Sequence, residues 1–111
     1  MPPLTYHLVP RTEWEAADPN QPYLPNAFER DGFVHCTDGA DEPAATANRY
    51  FAQFDGDLLG LVIDCARVSA PIRYEDPRGV YPHVYGPIER AAITDVLAMP
   101  RGPAGQFLAP A

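Results

Sequence analysis

The sequence has no lysine. All eight of its basic residues are arginine, against 15 acidic ones, for a formal net charge of −7. General nucleic-acid binding needs a basic patch to neutralise phosphates, and this balance argues against it. A small anion held by one or two local arginines stays open. Cysteine is scarce: Cys36 and Cys65 form no CxxC pair, and two thiols make no disulfide framework, so both are expected reduced. No apolar run approaches the ~18 residues of a membrane span. Met1 to Val9 shows no basic segment followed by a long apolar stretch, so no signal peptide is read there. A cytoplasmic protein without membrane attachment is the expectation. The G-x-G-x-x-G, Walker, G-x-S-x-G and H-E-x-x-H patterns are absent, which removes the commonest dinucleotide, NTPase, hydrolase and protease readings.

What is present fits one domain: 111 residues, 46% of them hydrophobic, with 14 prolines mostly between apolar runs. Stiff turns at that density predict short elements and exclude long helices. Leu4 to Val9 reads as a first strand. Thr12 and Glu15 have capping-box spacing, which predicts a short helix from Thr12 to about Ala17. A helical turn is expected before Gly32, then a strand from Gly32 to Thr37. Asp38, Asp41 and Glu42 before Pro43 suit a helix start, and Ala44, Ala47, Phe51 and Phe54 recur at helical spacing as the main helix. The near-continuous run in Asp57 to Asp64 predicts a central strand covered on both faces. Ile72 to Glu75 and Val80 to Tyr85 read as strands around an Asp76-Pro77-Arg78-Gly79 turn, and Ile93 to Met99 as the last strand. One domain over residues 1–99 and a loosely ordered tail over 100–111 complete an α+β reading.

Histidine is the informative residue. His7, His35 and His83 are the only three, and each falls inside a predicted strand with aromatic company. Tyr6 stands beside His7, Phe33 two before His35, and Tyr81 and Tyr85 flank His83. Alternation puts Phe33, His35 and Thr37 on one face and Tyr81, His83 and Tyr85 on another. Each could be a satisfied core or edge histidine. Three polar residues inside short strands are costly unless paired or used, so a shared cleft is expected. A three-histidine metal site is an alternative, weakened by the lack of HxH or HxxxH spacing. Arg73 and Glu75 share a strand face opposite Tyr74. They are either a surface ion pair or an anion-gripping arginine with an acid beside it. Cys36 alternates onto the face away from His35 and reads as a buried structural thiol, and Trp14 as packing the first helix.

Several segments together resemble a small bacterial family known as domain of unknown function 952: Tyr6-His7 with Trp14, Gly32 to Thr37, Ala47 to Phe51, Leu58 to Asp64, Arg73 to Glu75, and Tyr81 to Pro87. The match runs roughly from residue 5 to 98. That family is similar in layout to the ADP-ribosyltransferase-like fold, near the RNA 2′-phosphotransferases. The resemblance implies a split, mainly antiparallel sheet with one main helix, and a cleft for NAD or a related nucleotide that serves as cofactor or substrate. It places His7 at the ribose of NAD, His35 and Thr37 on the pyrophosphate or nicotinamide side, and His83 and Tyr85 at the base or acceptor side. Glu75 would stabilise charge at the ribose carbon, Arg73 would pair with a phosphate, and Tyr6 would wall the ring. His7, His35 and Glu75 are thus the implied catalytic set. Tyr6, Thr37, Arg73, His83 and Tyr85 are the implied nucleotide contacts. Glu89 is the other candidate for the late acid. The N-terminal lobe that carries catalytic residues in the phosphotransferases has no counterpart here. ADP-ribose transfer, phosphotransferase-like action on an ADP-ribose or phosphate ester, a non-catalytic binding module and a three-histidine metal protein are the functions this reading leaves open.

Overall fold

In chain order the elements are β1 (Leu4–Pro10), α1 (Arg11–Ala16), α2 (Phe28–Asp31), β2 (Val34–His35), α3 (Glu42–Tyr50), β3 (Leu58–Asp64), β4 (Ile72–Tyr74), β5 (Pro82–Val84) and β6 (Ile93–Ala98). Short 3₁₀ turns at Cys65–Arg67 and Arg90–Ala92 precede β4 and β6. This computed structural model describes residues 3–39 and 41–110. The expected tail and domain limits at Met1, Pro2 and Ala111 lie outside the described residues, as does Ala40.

The strands form two three-stranded antiparallel sheets, ordered β1-β3-β6 and β2-β5-β4, which makes the fold α+β. β3 is the middle strand of the first sheet because it is apolar on both faces: Leu58 to Ile63 are all buried. β1 alternates instead, with Thr5, His7 and Val9 buried and Tyr6 and Leu8 half-buried. The sheets pack through Ile63 of β3 against Val34 and Val84, together with Cys36, Ile88 and Ala92. Each fully buried aliphatic side chain there contributes about 1.5–3 kcal/mol of transfer free energy. A second cluster joins Val9, Leu59 and Leu61 to Tyr23, with Trp14 of α1 packed against it.

The proline-dense sequence keeps every helix short; α3, the longest, has nine residues and carries proline in its first turn. α1 begins at Arg11, directly after the strand, and no side chain caps it. The expected Thr12–Glu15 capping box does not form. Pro10 is still paired with Leu58, and the Arg11 amide donates to the Asp57 carbonyl at 2.9 Å, so the chain enters the helix one residue before Thr12 could cap it. α2 ends as expected on Gly32, whose φ of 79° suits a residue without Cβ. β2 is shorter than Gly32 to Thr37, and beyond His35 the backbone bonds alternate between the two sheets. The Cys36 amide donates to Pro82, and Thr37 exchanges backbone bonds with Tyr6 of the other sheet at 2.9 and 2.7 Å. β5 starts at Pro82, not Val80, because the Asp76 carboxylate takes the Val80 and Tyr81 amides, both at 3.1 Å.

The segment from Pro100, expected to be loosely ordered, folds back onto the main helix. Phe107 is buried against Ala47, Leu58 and Met99. The Asn48 side chain clamps its backbone from both sides, donating to the Phe107 carbonyl at 2.9 Å and accepting from its amide at 2.8 Å. Arg101 donates to the carbonyls of Phe54, Gly56 and Gly105 and lies 4.0 Å from the Phe107 ring centre. Asn48→Ala is therefore expected to cost about 1–2 kcal/mol in urea unfolding. Hydrogen exchange should show the Phe107 amide losing protection while the amides of β3 keep theirs. An unprotected Phe107 amide in the unmutated protein would contradict the clamp.

Candidate functional site

His7 sits where the two sheets meet. Its Nδ1–H donates to the backbone carbonyl of His35 at 2.6 Å, and the Tyr23 hydroxyl lies 3.3 Å from its Nε2. A carbonyl only accepts, so the proton belongs on Nδ1 and the Tyr23 hydroxyl donates to Nε2. Burial of the ring disfavours the imidazolium and pushes the pKa of His7 down to about 4. The residue is a neutral imidazole of fixed tautomer.

His35 and His83 face each other directly across β2 and β5, and Arg73 faces His83 from β4. Because a strand's side chains alternate, their neighbours Val34 and Val84 point into the core while the histidines emerge on the outer face. Their ring centres are 5.6 Å apart, nearly perpendicular. Phe33 stacks on His83 at 3.9 Å and 16°, and tilts against His35 at 4.6 Å. Each imidazole is bonded to its own carboxylate. His35 Nε2 is 2.9 Å from Asp31 Oδ2, and His83 Nδ1 is 3.1 Å from Glu75 Oε1. Arg30, bonded to Asp31 through two nitrogens, and then His35 hold the Asp31 carboxyl down to about 2. Glu75 also accepts from the Tyr85 hydroxyl; that bond first, and His83 second, lower its pKa.

A cleft of about 710 Å³ opens beside these residues, a size typical of small-molecule sites. His7, His35, His83 and Thr37 all line it. Its other walls include Tyr50, Phe51 and Tyr81, with Arg30, Asp31 and Thr46. Tyr50 is 71% exposed, so its ring stands free at the rim. The β4–β5 turn is tied to the start of α3 by Arg78 to Glu42 at 2.7 Å and by the Tyr81 hydroxyl to Glu42 at 3.2 Å.

Four of the residues implied by sequence are not among the lining. Tyr6 alternates away from His7. Arg73 is on the outer face, 5.7 Å from the ring centre of Tyr85. Glu75 and Tyr85 bond one another there, behind His83. The cation at the cleft is Arg30, which sequence reasoning did not single out; neither did it single out Asp31 or Tyr50. The Asp31–His35 spacing of four was the readable signal, since α2 and the Gly32 turn bring the two together. Glu89 accepts the Ser69 amide at 3.0 and 3.3 Å, so of the two late acids only Glu75 touches a histidine.

The three-histidine metal alternative is not realised. Both nitrogens of His7 are taken, and among the described residues no group of three or more His, Cys, Asp or Glu could hold a metal ion. Cys36 and Cys65 are free and buried, and burial pushes both thiols up, which makes them poor nucleophiles. Among the described residues no helix is long and apolar enough to cross a membrane.

The geometry defines a class: a small two-sheet α+β domain with a histidine-lined cleft at the junction of its sheets. The chain belongs to the family described as protein of unknown function DUF952, whose model matches residues 8–96. It is similar to the crystal structure of protein CC0527 from Caulobacter crescentus, with 22% identity, a TM-score of 0.77, and coverage of 94% of this chain and 92% of that one. Against the solution NMR structure of CC0527 the values are 24%, 0.72, 93% and 90%. These likenesses establish a shared fold. No curated protein matches the chain.

The neutral state of His7 has a consequence for stability. The unfolded chain protonates this histidine near its ordinary 6.5, the folded one only near 4. Its contribution is fully present above pH 6.5 and is lost as pH falls between these values, by about 1.4 kcal/mol per pH unit. In urea unfolding, the difference between the unmutated protein and His7→Gln should shrink from pH 7 to pH 4. A difference that stays constant over that range would mean that His7 is not a buried neutral imidazole.

Proposed function

We propose that the cleft binds a small nucleotide, NAD or a relative of it such as ADP-ribose or AMP. The observation that carries this is the combination of aromatic walls, convergent polar groups and a single arginine in one cleft of nucleotide size. Tyr50, Phe51 and Tyr81 offer faces for a ring, which stack on a base without needing its sequence identity. Thr37 and His35 offer polar contacts, and Arg30 offers charge to a phosphate. The bond from Tyr23 to His7 Nε2 is the longer of the two that His7 makes. Nε2 is therefore the atom a ribose hydroxyl would take over. This assignment agrees with the layout of the ADP-ribosyltransferase-like fold that the sequence resembles.

The reading is of binding and not of ADP-ribose transfer. Glu75, the acid that the resemblance assigns to transfer, is bonded to Tyr85 and His83 outside the lining of the cleft. Calorimetry with NAD, ADP-ribose and AMP tests the proposal. Tyr50→Ala and Arg30→Ala are each expected to weaken binding about tenfold, near 1.4 kcal/mol. Both side chains are exposed, so the melting temperature should hardly move. If none of the three nucleotides binds the unmutated protein, the proposal is wrong.

A further inference from the structure

We propose that His35 and His83 form an acid–base pair that opens the cyclic phosphodiester of a nucleoside 2′,3′-cyclic phosphate. The inference rests on the reading of the cleft as a nucleotide site and assigns it a reaction. Each ring has one nitrogen bonded to a carboxylate, His35 Nε2 to Asp31 and His83 Nδ1 to Glu75. That leaves His35 Nδ1 and His83 Nε2 for a ligand. Both rings line the cleft, and their centres are 5.6 Å apart. One phosphoryl group can hydrogen-bond both across such a gap, each bond spanning about 2.7–3.0 Å. The stack of Phe33 on His83 restrains that ring, so the pair is positioned before substrate arrives.

The substrate class follows from charge and size. A net charge of −7 disfavours a polynucleotide, whereas a single nucleotide fits a 710 Å³ cleft. A five-membered cyclic phosphate is strained, so a base, an acid and one cation suffice to open it. His35, whose side chain is 59% exposed, meets solvent water; His83, at 20%, lies deeper. The oxygen of a water molecule forms a bond to phosphorus while His35 Nδ1 takes its proton. One of the two ring P–O bonds breaks, and its oxygen leaves as a ribose hydroxyl with the proton of His83 Nε2. The product is the 2′- or 3′-monophosphate. Solvent then returns the proton from His35 to His83, so the cycle is balanced without oxidant, metal or second substrate. Arg30, held on Asp31 at the cleft, faces the charge that grows on the phosphoryl oxygens.

The test is phosphorus NMR of 2′,3′-cyclic AMP with the full chain in EDTA, beside calorimetry with AMP. The expected result is conversion to the monophosphate, with His35→Asn and His83→Asn each lowering kcat at least about 100-fold while AMP binding weakens no more than about tenfold. Should either variant melt early, His35→Gln and His83→Gln are judged by the same measure. AMP binding without turnover overturns this inference and leaves the nucleotide cleft standing. Absence of turnover together with no binding of AMP, ADP-ribose or NAD overturns the two together. Turnover that survives either histidine substitution overturns the acid–base assignment.

Discussion

The site depends on the seam between the two sheets. β2 is two residues long and could not hold itself in place. It is fixed because the chain on its far side pairs with β1, Thr37 to Tyr6, and because His7 takes the His35 carbonyl at 2.6 Å. A net hydrogen bond of this kind is worth only about 1 kcal/mol, but its loss would leave a carbonyl unpaired at about 1–3 kcal/mol. His7 is thus the mortar of the site before it is any part of its chemistry. Its burial, which keeps it neutral, is what lets the donor and acceptor ends be told apart.

The position of the cleft follows from that seam. β1 supplies its floor from one sheet, β2 and β5 supply a wall from the other, and α2 and α3 close the sides. Glu42 is bonded to both Arg78 and Tyr81, which ties the turn before β5 to the start of α3. Tyr50, at the opposite end of the same helix, is a large exposed ring at the rim, with the Arg49 guanidinium 5.9 Å from its centre.

Much of the fold was legible because some segments say one thing at every level. Leu58 to Ile63 is apolar on both faces and becomes the middle strand; Ala47, Phe51 and Phe54 pack together as expected, but the helix stops at Tyr50 and both phenylalanines lie beyond it. Strand ends were less legible, since they are set by partners far away in sequence: Asp76 takes the amides that would have extended β5, and Tyr6 takes the end of β2. The tail was hidden by its composition. One phenylalanine among Pro, Gly and Ala carries little signal, and nothing local marks Asn48 as its clamp. At the site, the alternation of Phe33, His35 and His83 was readable; Arg73 and Glu75 form no ion pair among the described residues, and Glu75 bonds His83 and Tyr85 instead. How far along that face the cleft would reach was not readable, because that depends on how the two sheets and α2 pack. Arg73, on the edge strand β4, lies outside the lining, and Arg30 lies within it.

β6 is the outermost strand of the first sheet, and its pairing with β3 shifts register between Val62 and Ile63. An open strand edge is a template on which another chain can add itself. Here the irregular register bends that template, and exposed Asp95 puts a negative charge in the middle of it. Two such edges brought together would set like charges opposite one another, on a molecule already carrying −7. The extra residue that β6 carries there, Thr94, therefore makes this edge a poor template for edge-to-edge pairing.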